Sequence, residues 1–324
     1  MNKYLIYGGT GSLGLVLVEK LLTRAAFLRW QIQIHVVSRG EEKIVRFREK
    51  FGHLNNVHSS FCDIRDYDAV KRLLFEVQPD VVINCAALKD VPEGEEFPVE
   101  FLKTNTFGTH NIVRAAEEYG NKDLKVLSIS TDKACAPLTA YGMTKSLQER
   151  IHLRGKCGIF NVVRYGNVLS SRGSVIPFFK DKLSRGEKLP ITDERMTRFF
   201  ISLEDSVELI FDALNDTEGG KIFVPKIKSM KIIDLAHAML SAAGSTEDYL
   251  HILYVGIRPG EKIHESLISA DEAFRVENDG KNWVIHDMLS KRTLTNDLKD
   301  AYSSDNVLMN ETELKEFLIK NKII

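Results

Sequence analysis

Residues 129–145 read ISTDKACAPLTAYGMTK. A run of β-formers ends at Ser130; Thr131, Asp132 and Lys133 follow, then a short Pro-containing loop, then Tyr141 four residues before Lys145. A hydroxyl, a carboxylate, a phenol and two amines therefore gather just past one strand end. On a helix Tyr141 and Lys145 share a face. A phenol is too weak an acid to serve as a base near neutral pH unless its pKa falls. A neighbouring ammonium and the positive charge of an oxidised nicotinamide would both lower it. Thr131 can hydrogen-bond the same substrate oxygen. A simple Tyr–Lys oxidoreduction has no use for Asp132 and Lys133, which would equally make a plain ion pair.

These residues need elements to hold them, and the first half of the chain supplies a regular series. KYLIYG, IQIHVVS, VHSSFC, VVINCAA, KVLSIS and GIFNVVRYG read as strands. Helical spacing covers 13–22, 41–50, 67–77, 99–119 and 141–153 between them. Apolar strands alternating with helices predict an α/β fold, a Rossmann-type doubly wound parallel sheet covered on both faces. The rhythm loosens after about residue 170. SVIPFFKDKL, LEDSVELIFDAL and IDLAHAMLSAAG look helical, and KIFVP and HILYVGI look like short strands. The expected division is a dinucleotide-binding domain over 1–170, carrying the reacting groups, and a smaller α/β C-terminal substrate lobe over 171–324. At least one late strand is expected to return to the main sheet.

The first strand ends in a glycine-rich turn, YGGTGSLG, with Gly8, Gly11 and Gly14 in GxxGxxG spacing. Such a turn lets backbone N–H groups of Thr10, Ser12 and Leu13 approach a pyrophosphate at a helix N-terminus. The second strand ends in HVVSRGEEK. An NAD site usually carries an acid there for the ribose 2′-hydroxyl. Ser38 and Arg39, with Lys43 behind them, instead suit a 2′-phosphate, so the sequence favours NADP. A solvated Arg39 starting a helix is the alternative. Asp63 and Ile64 follow the third strand, where an adenine is met. Ala86, Ala87 and Lys89 follow the fourth, near the point where strand order reverses.

GxxGxxG with Thr131, Tyr141 and Lys145 resembles the extended short-chain dehydrogenase/reductase superfamily. Nucleotide-sugar 4,6-dehydratases within it carry an Asp and a second residue directly after the Thr, usually Glu in the hexose enzymes. Lys133 at that place, with RYGNVLSSRGSVIPFF, LPITDERMTRFFISLED, KIFVPKIKSMKI and IRPGEKIHESLI downstream, is similar to the inverting UDP-N-acetylglucosamine 4,6-dehydratases. That family makes a 4-keto-6-deoxy sugar on the way to pseudaminic acid and related surface glycans. The resemblance implies an NADP-dependent hydro-lyase in which Tyr141 and Lys145 serve oxidation at C4. It further implies Lys133 as the base at C5 and Asp132 as the acid at C6. For those roles Lys133 must be partly neutral, which burial and the nearby Lys145 would favour, and Asp132 must keep a proton.

The resemblance places substrate contacts at Lys103, Thr104 and Asn105, at Asn167, at Arg172, Gly173, Ser174 and Val175, at Thr192 and Met196, and at Arg258 with Glu261 nearby. It places Val168 on the cofactor. Tyr7, Asp90 and Gly94 depart from the family pattern, and the last forty or so residues resemble its tail only loosely. The runners-up are a retaining 4,6-dehydratase and a UDP-sugar 4-epimerase. A non-catalytic NADP-binding sensor would have no need to keep the full Thr, Asp, Lys, Tyr, Lys set.

Bulk properties agree with such an enzyme. The 324 residues are 44% hydrophobic and 27% charged with a net charge of −1, which gives no electrostatic case for a nucleic-acid or membrane partner. MNKYLIYGGTG enters a strand directly and carries no cleavage signature, so no signal peptide is expected. Four cysteines without metal spacing suggest free thiols, no metal site and a cytoplasmic setting. Relatives assemble, so a homo-oligomer, at least a dimer, is expected around a UDP-sugar substrate.

Overall fold

A computed structural model describes residues 2–169, 174–244, 251–290 and 297–324. Six parallel strands, β1 (Asn2–Tyr7), β2 (Ile32–Ser38), β3 (Val57–Phe61), β4 (Val81–Asn84), β5 (Lys125–Thr131) and β6 (Ile159–Tyr165), lie in the order 3-2-1-4-5-6. A seventh, β7 (Lys221–Pro225), runs parallel beside β6. The antiparallel pair β8 (Val276–Asn278) and β9 (Asn282–His286) completes the sheet beyond β7. Three late strands thus lie in the first sheet: β7 and β8 are each reached after a long excursion through the second lobe, and β9 follows β8 through a short turn.

Both faces are covered, as the continuous apolar strands require. Along β1, Tyr4 and Ile6 pack against Leu17, Val18 and Leu21 of helix α1 (Ser12–Leu28), on the side where Val207 and Ile210 also sit. Leu5 and Tyr7 face the other way. They meet Val70 and Leu74 of α3 (Tyr67–Val77) and Ile112 and Ala116 of α4 (Gly108–Tyr119), whereas α2 (Glu41–Phe51) packs Phe47 and Phe51 on the α1 face. Each such fully buried aliphatic side chain contributes about 2 kcal/mol. Tyr7 is one of these core residues, its hydroxyl donating to the Val70 carbonyl at 3.4 Å.

The expected helix over 99–119 is three pieces. Pro98–Phe101 is one turn, Leu102–Phe107 widens to a π-helical turn, and α4 follows. Buried polar side chains explain the widening. Asn105 accepts from the Leu88 amide at 2.9 Å, donates to the Leu88 carbonyl at 2.9 Å and reaches Thr144 at 3.2 Å. A single widened turn carries such inward groups at the cost of ideal backbone bonding. Thr144 lies on α5 (Ala140–His152), so Asn105 ties this turn to the helix of Tyr141 and Lys145.

The second lobe packs helices Val175–Ser184, Ile232–Ala242 and Glu311–Lys320 around Phe179, Leu235, Leu240 and Leu318. Its remaining long helix, α6 (Leu203–Asn215), carries Val207 and Ile210 back onto the main sheet. A strand pair, Ser266–Ile268 with Tyr302–Ser303, brings the segment after IRPGEK beneath the end of β5. Among the described residues no helix is long and apolar enough to cross a membrane.

Candidate active site

The glycine turn is shaped by backbone contacts. Gly8 has φ of +73°, and a Cβ there would stand 2.6 Å from the Ala86 amide nitrogen. A Cβ on Gly14 would come within 2.4 Å of Gly9 Cα, so α1 can approach the turn only because position 14 is glycine. Gly11 begins α1 with no side-chain cap, leaving the N–H groups of the first turn directed outward. This cradle fits a dinucleotide pyrophosphate. Ser38 accepts from the Gly40 amide at 3.4 Å, and Arg39 is exposed beside it at the end of β2. The Asp63 carboxylate is held by Arg65, whose Nε donates at 2.9 Å; despite burial, which raises it, the Arg65 bonds bring it below the usual range. Arg65 also binds Glu100, which pairs with Lys103, so Lys103 stands in a surface ion-pair chain and not with the reacting groups.

At the end of β5 the chain turns through Asp132–Ala134 and enters α5 after the Thr139 cap, whose side chain accepts from the Gly142 amide. Thr131 donates to Asp132 Oδ1 at 2.8 Å, and the Tyr141 phenol lies beside it. Lys133 Nζ donates to the same Asp132 oxygen at 3.1 Å and to Asn167 Oδ1 at 3.4 Å. It also lies 3.7 Å from Glu265 Oε1. Thr131, Asp132, Lys133, Tyr141 and Asn167 are therefore gathered in one group. Asp132 Oδ2 and Glu265 Oε2 are buried without a hydrogen-bond partner among the described residues.

The electrostatics depart from the expected pattern. Burial pushes the Tyr141 phenol up, and the Lys133 charge and the Thr131 hydroxyl only partly oppose it. The ammonium acting on Tyr141 is that of Lys133. Burial alone would lower Lys133, but Asp132 and Glu265 outweigh it and the net direction is up, against the expected partly neutral amine. Lys145 behaves otherwise. Burial brings it down to about 7, opposed by Glu149. Its Nζ donates to the Ile129 carbonyl at 2.6 Å and to Gln148, which itself donates to Ser128 at 2.6 Å.

Behind Lys145 lies a buried charge cluster. Arg164 binds both oxygens of Glu149, at 2.9 and 2.6 Å, and both of Glu272, at 2.8 and 2.9 Å. Glu149 also accepts from Ser130 at 2.6 Å. The helix of Tyr141 and Lys145 is thus anchored to β5, β6 and the second lobe at once.

Comparison with known proteins agrees with this geometry. The profile of the polysaccharide biosynthesis protein family matches residues 4–287. The chain belongs to that family. It is 42% identical over 276 residues, 83% of this chain and 78% of the other, to the UDP-N-acetylglucosamine 4,6-dehydratase (inverting) of Campylobacter jejuni. It is also 36% identical over 336 residues, 97% of this chain and 94% of the other, to a UDP-glucose 4-epimerase of Rickettsia bellii. Among solved structures, Pen from Bacillus thuringiensis superposes with a TM-score of 0.86 at 31% identity over 98% of each chain. DesIV, a dTDP-glucose 4,6-dehydratase of Streptomyces venezuelae, shares the fold at a TM-score of 0.71 and 20% identity, over 81% of this chain and 86% of that one.

Other residues singled out in this polysaccharide biosynthesis protein are dispersed. Thr104 and Asn105 are buried in the widened turn, with Thr104 Oγ1 unpartnered. Ser174 Oγ is buried and unpartnered at the start of the Val175 helix; Arg172 and Gly173 lie outside the described residues. Met196 is in the second lobe's core, with Thr192 donating to its sulfur at 3.2 Å. Arg258 is exposed in a turn closed by its amide donating to Glu261 at 3.2 Å, and Lys262 beyond it donates to the Cys135 carbonyl at 2.9 Å. Asp90 caps the short helix Val91–Glu96, accepting from the Glu93 amide at 3.2 Å. Gly94 leaves room for Phe101, which packs edge-on against Tyr141.

Glu265, Gln148 and the Arg164 cluster were not singled out from sequence. Gln148 was legible, since it follows Lys145 by three residues and shares its helix face. Glu265 comes from 132 positions beyond Lys133, and nothing local in IHESLI marks it as part of this site.

Proposed function

We propose that the protein dehydrates UDP-N-acetylglucosamine to the UDP 4-keto-6-deoxy sugar with inversion at C5, using NADP and serving synthesis of a pseudaminic-acid-type or other surface glycan. The observation that carries this reading is the Asp132–Lys133 pair, Asp132 buried and Lys133 part-buried, with Thr131 bonded to Asp132 and the Tyr141 phenol beside them. The glycine cradle would hold NADP⁺, with Ser38 and Arg39 suited to its 2′-phosphate, and that NADP⁺ would supply the hydride acceptor for C4 and the hydride returned to C6. Tyr141 takes the C4 hydroxyl proton while Thr131 holds the same oxygen. The new ketone acidifies the C5 proton, which Lys133 removes as Asp132 protonates the departing C6 hydroxyl. Net redox is zero. Residues 1–170 act as the cofactor domain and 171–324 as the substrate lobe of a homo-oligomer.

A 4-epimerase is the second reading, favoured by the longer match to the Rickettsia proteins. Transfer of a hydride to and from C4 alone leaves Asp132 and Lys133 without a task. The two separate in one assay: UDP-N-acetylglucosamine in D₂O, followed by NMR. A C6 methyl with deuterium at C5 and an L-configured ring is expected. Deuterium at C5 with the configuration kept indicates the retaining enzyme, and a C4 epimer with no methyl overturns the dehydratase reading.

A further inference from the structure

Lys133 poses a problem that the pair with Asp132 does not solve. A base at C5 needs a neutral amine, yet Asp132 and Glu265 push Lys133 toward its ammonium form, and Asp132 must keep its own proton to serve as the acid at C6. The Lys133 side chain is 23% exposed, and once a sugar is seated over it the ammonium proton needs an acceptor inside the site.

Glu265 has the properties of that acceptor. It is only 4% exposed, and its Oε1 lies 3.7 Å from Lys133 Nζ. The Glu265 amide donates to Ser304 Oγ at 2.9 Å and its carbonyl accepts from the Ser304 amide at 2.8 Å, so the backbone is fixed independently of the carboxylate. Among the described residues the carboxylate's ion pairs are with Lys133, and with Lys262 whose Nζ is 3.9 Å from Oε2, and Oε2 is buried and accepts no hydrogen bond. A buried carboxylate so poorly satisfied costs stability, and such groups call for a functional account. The charged groups acting on it are Lys133, Asp132, Arg198 and Lys262. Burial and Asp132 push its carboxyl up, so among these acids it is suited to accept a proton.

We infer that Glu265 is the proton partner of Lys133, a positioning residue that takes the ammonium proton so that Lys133 can act as base. The inference rests on the dehydratase reading. One N–H bond of Lys133 breaks and one O–H bond forms on Glu265; no electrons are exchanged. The freed lone pair takes the C5 proton. Lys133 then passes that proton to Asp132, 3.1 Å away, which has given its own to the C6 oxygen, and Glu265 hands its proton back to Lys133; the proton that inverts C5 arrives from the opposite face.

The test uses Glu265→Gln, which keeps size and removes the acid. In holoenzyme with UDP-N-acetylglucosamine, C4 oxidation is followed by reduced-nicotinamide absorbance and the C5 step by deuterium incorporation, across pH. The expected result is C4 oxidation within about twofold of wild type and a C5 step slower on the order of 10²-fold near neutral pH, the usual value of a proton-transfer group. The lost rate should return as pH rises, and Glu265→Asp should restore part of it at neutral pH. A uniform loss with an unchanged pH profile indicates a structural role and overturns the inference. A faster C5 step near neutral pH also overturns it, since it shows Glu265 merely holding Lys133 charged. A second arm needs no substrate. In protein labelled with ¹³C at the lysine ε-carbon, the Lys133 titration should move down by about one pH unit or more in Glu265→Gln. An unmoved titration overturns the pairing, whereas a wild-type enzyme that forms no methyl sugar overturns only the substrate reading.

Discussion

Arg164→Met removes the charge that holds two buried carboxylates together. Arg164 is 1% exposed and spans Glu149 on the catalytic helix and Glu272 in the second lobe. Burial alone would raise the Glu272 carboxyl, but the Arg164 charge and bonds bring it from 4.5 to about 2. A shift of about 2.5 units corresponds to about 3 kcal/mol, the low end of what breaking a buried ion pair costs. Over a chain of this length unfolding entropy is about 0.7 kcal/mol/K, so Tm should fall by about 4 °C. The sign of the pH effect follows from linkage. Glu272 has a depressed folded pKa, so its contribution is complete above the unfolded value of 4.5 and is lost as pH falls through about 2. Differential scanning calorimetry of both proteins between about pH 6 and about pH 3 should show the Tm gap shrinking by more than half. Adding Glu272→Gln to Arg164→Met should recover part of the loss, because the uncompensated charge is then gone. A variant melting within about 1 °C of wild type at pH 6, or a gap that does not change with pH, would refute the assignment of this energy to the Arg164–Glu272 pair.

Other perturbations separate the parts of the site. Lys133→Ala should keep dinucleotide binding, measured by fluorescence titration, and lose C5 exchange by 10²-fold or more, roughly the value of a general base; normal exchange would remove Lys133 from that role. Gly14→Ala forces a Cβ to within 2.4 Å of Gly9 Cα and should weaken dinucleotide binding by about tenfold or more; unchanged affinity would separate the turn from the pyrophosphate. Arg39→Ala should weaken NADP binding by about tenfold or more and leave NAD nearly untouched; equal losses would overturn the reading of that strand end.

The sheet was legible because parallel strands buried on both faces read as continuous apolar runs, and β1 to β6 coincide with the runs identified, Asn2 and Thr131 each lying one residue outside. The turn and α5 were legible because glycine spacing and the i,i+4 relation are local. What escaped was long-range or polar. Asn105 reads as an ordinary helical residue until the Leu88 backbone and Thr144 are brought beside it, and only then is the widened turn explained. Glu265 reaches Lys133 only once the second lobe's strand pair is laid beneath β5. Charge states escaped for the same reason, since the direction for Lys133 is set by Glu265 as well as by its sequence neighbour Asp132.

The late return of β7 to β9 bears on how the chain is made. A nascent chain that has released β6 still exposes that strand's edge, because its next parallel partner lies about sixty residues further on. Arg164 must wait longer, since Glu272 is 108 residues downstream. At ribosomal rates of about 5–20 residues per second, this leaves a window of roughly 5–20 s in which a twisted sheet has an open edge and a buried-type arginine has only half its partners. The second lobe therefore has a role before any substrate arrives. By delivering its strand and its acid to the unfinished edge, it closes the first domain against pairing with a neighbouring nascent chain.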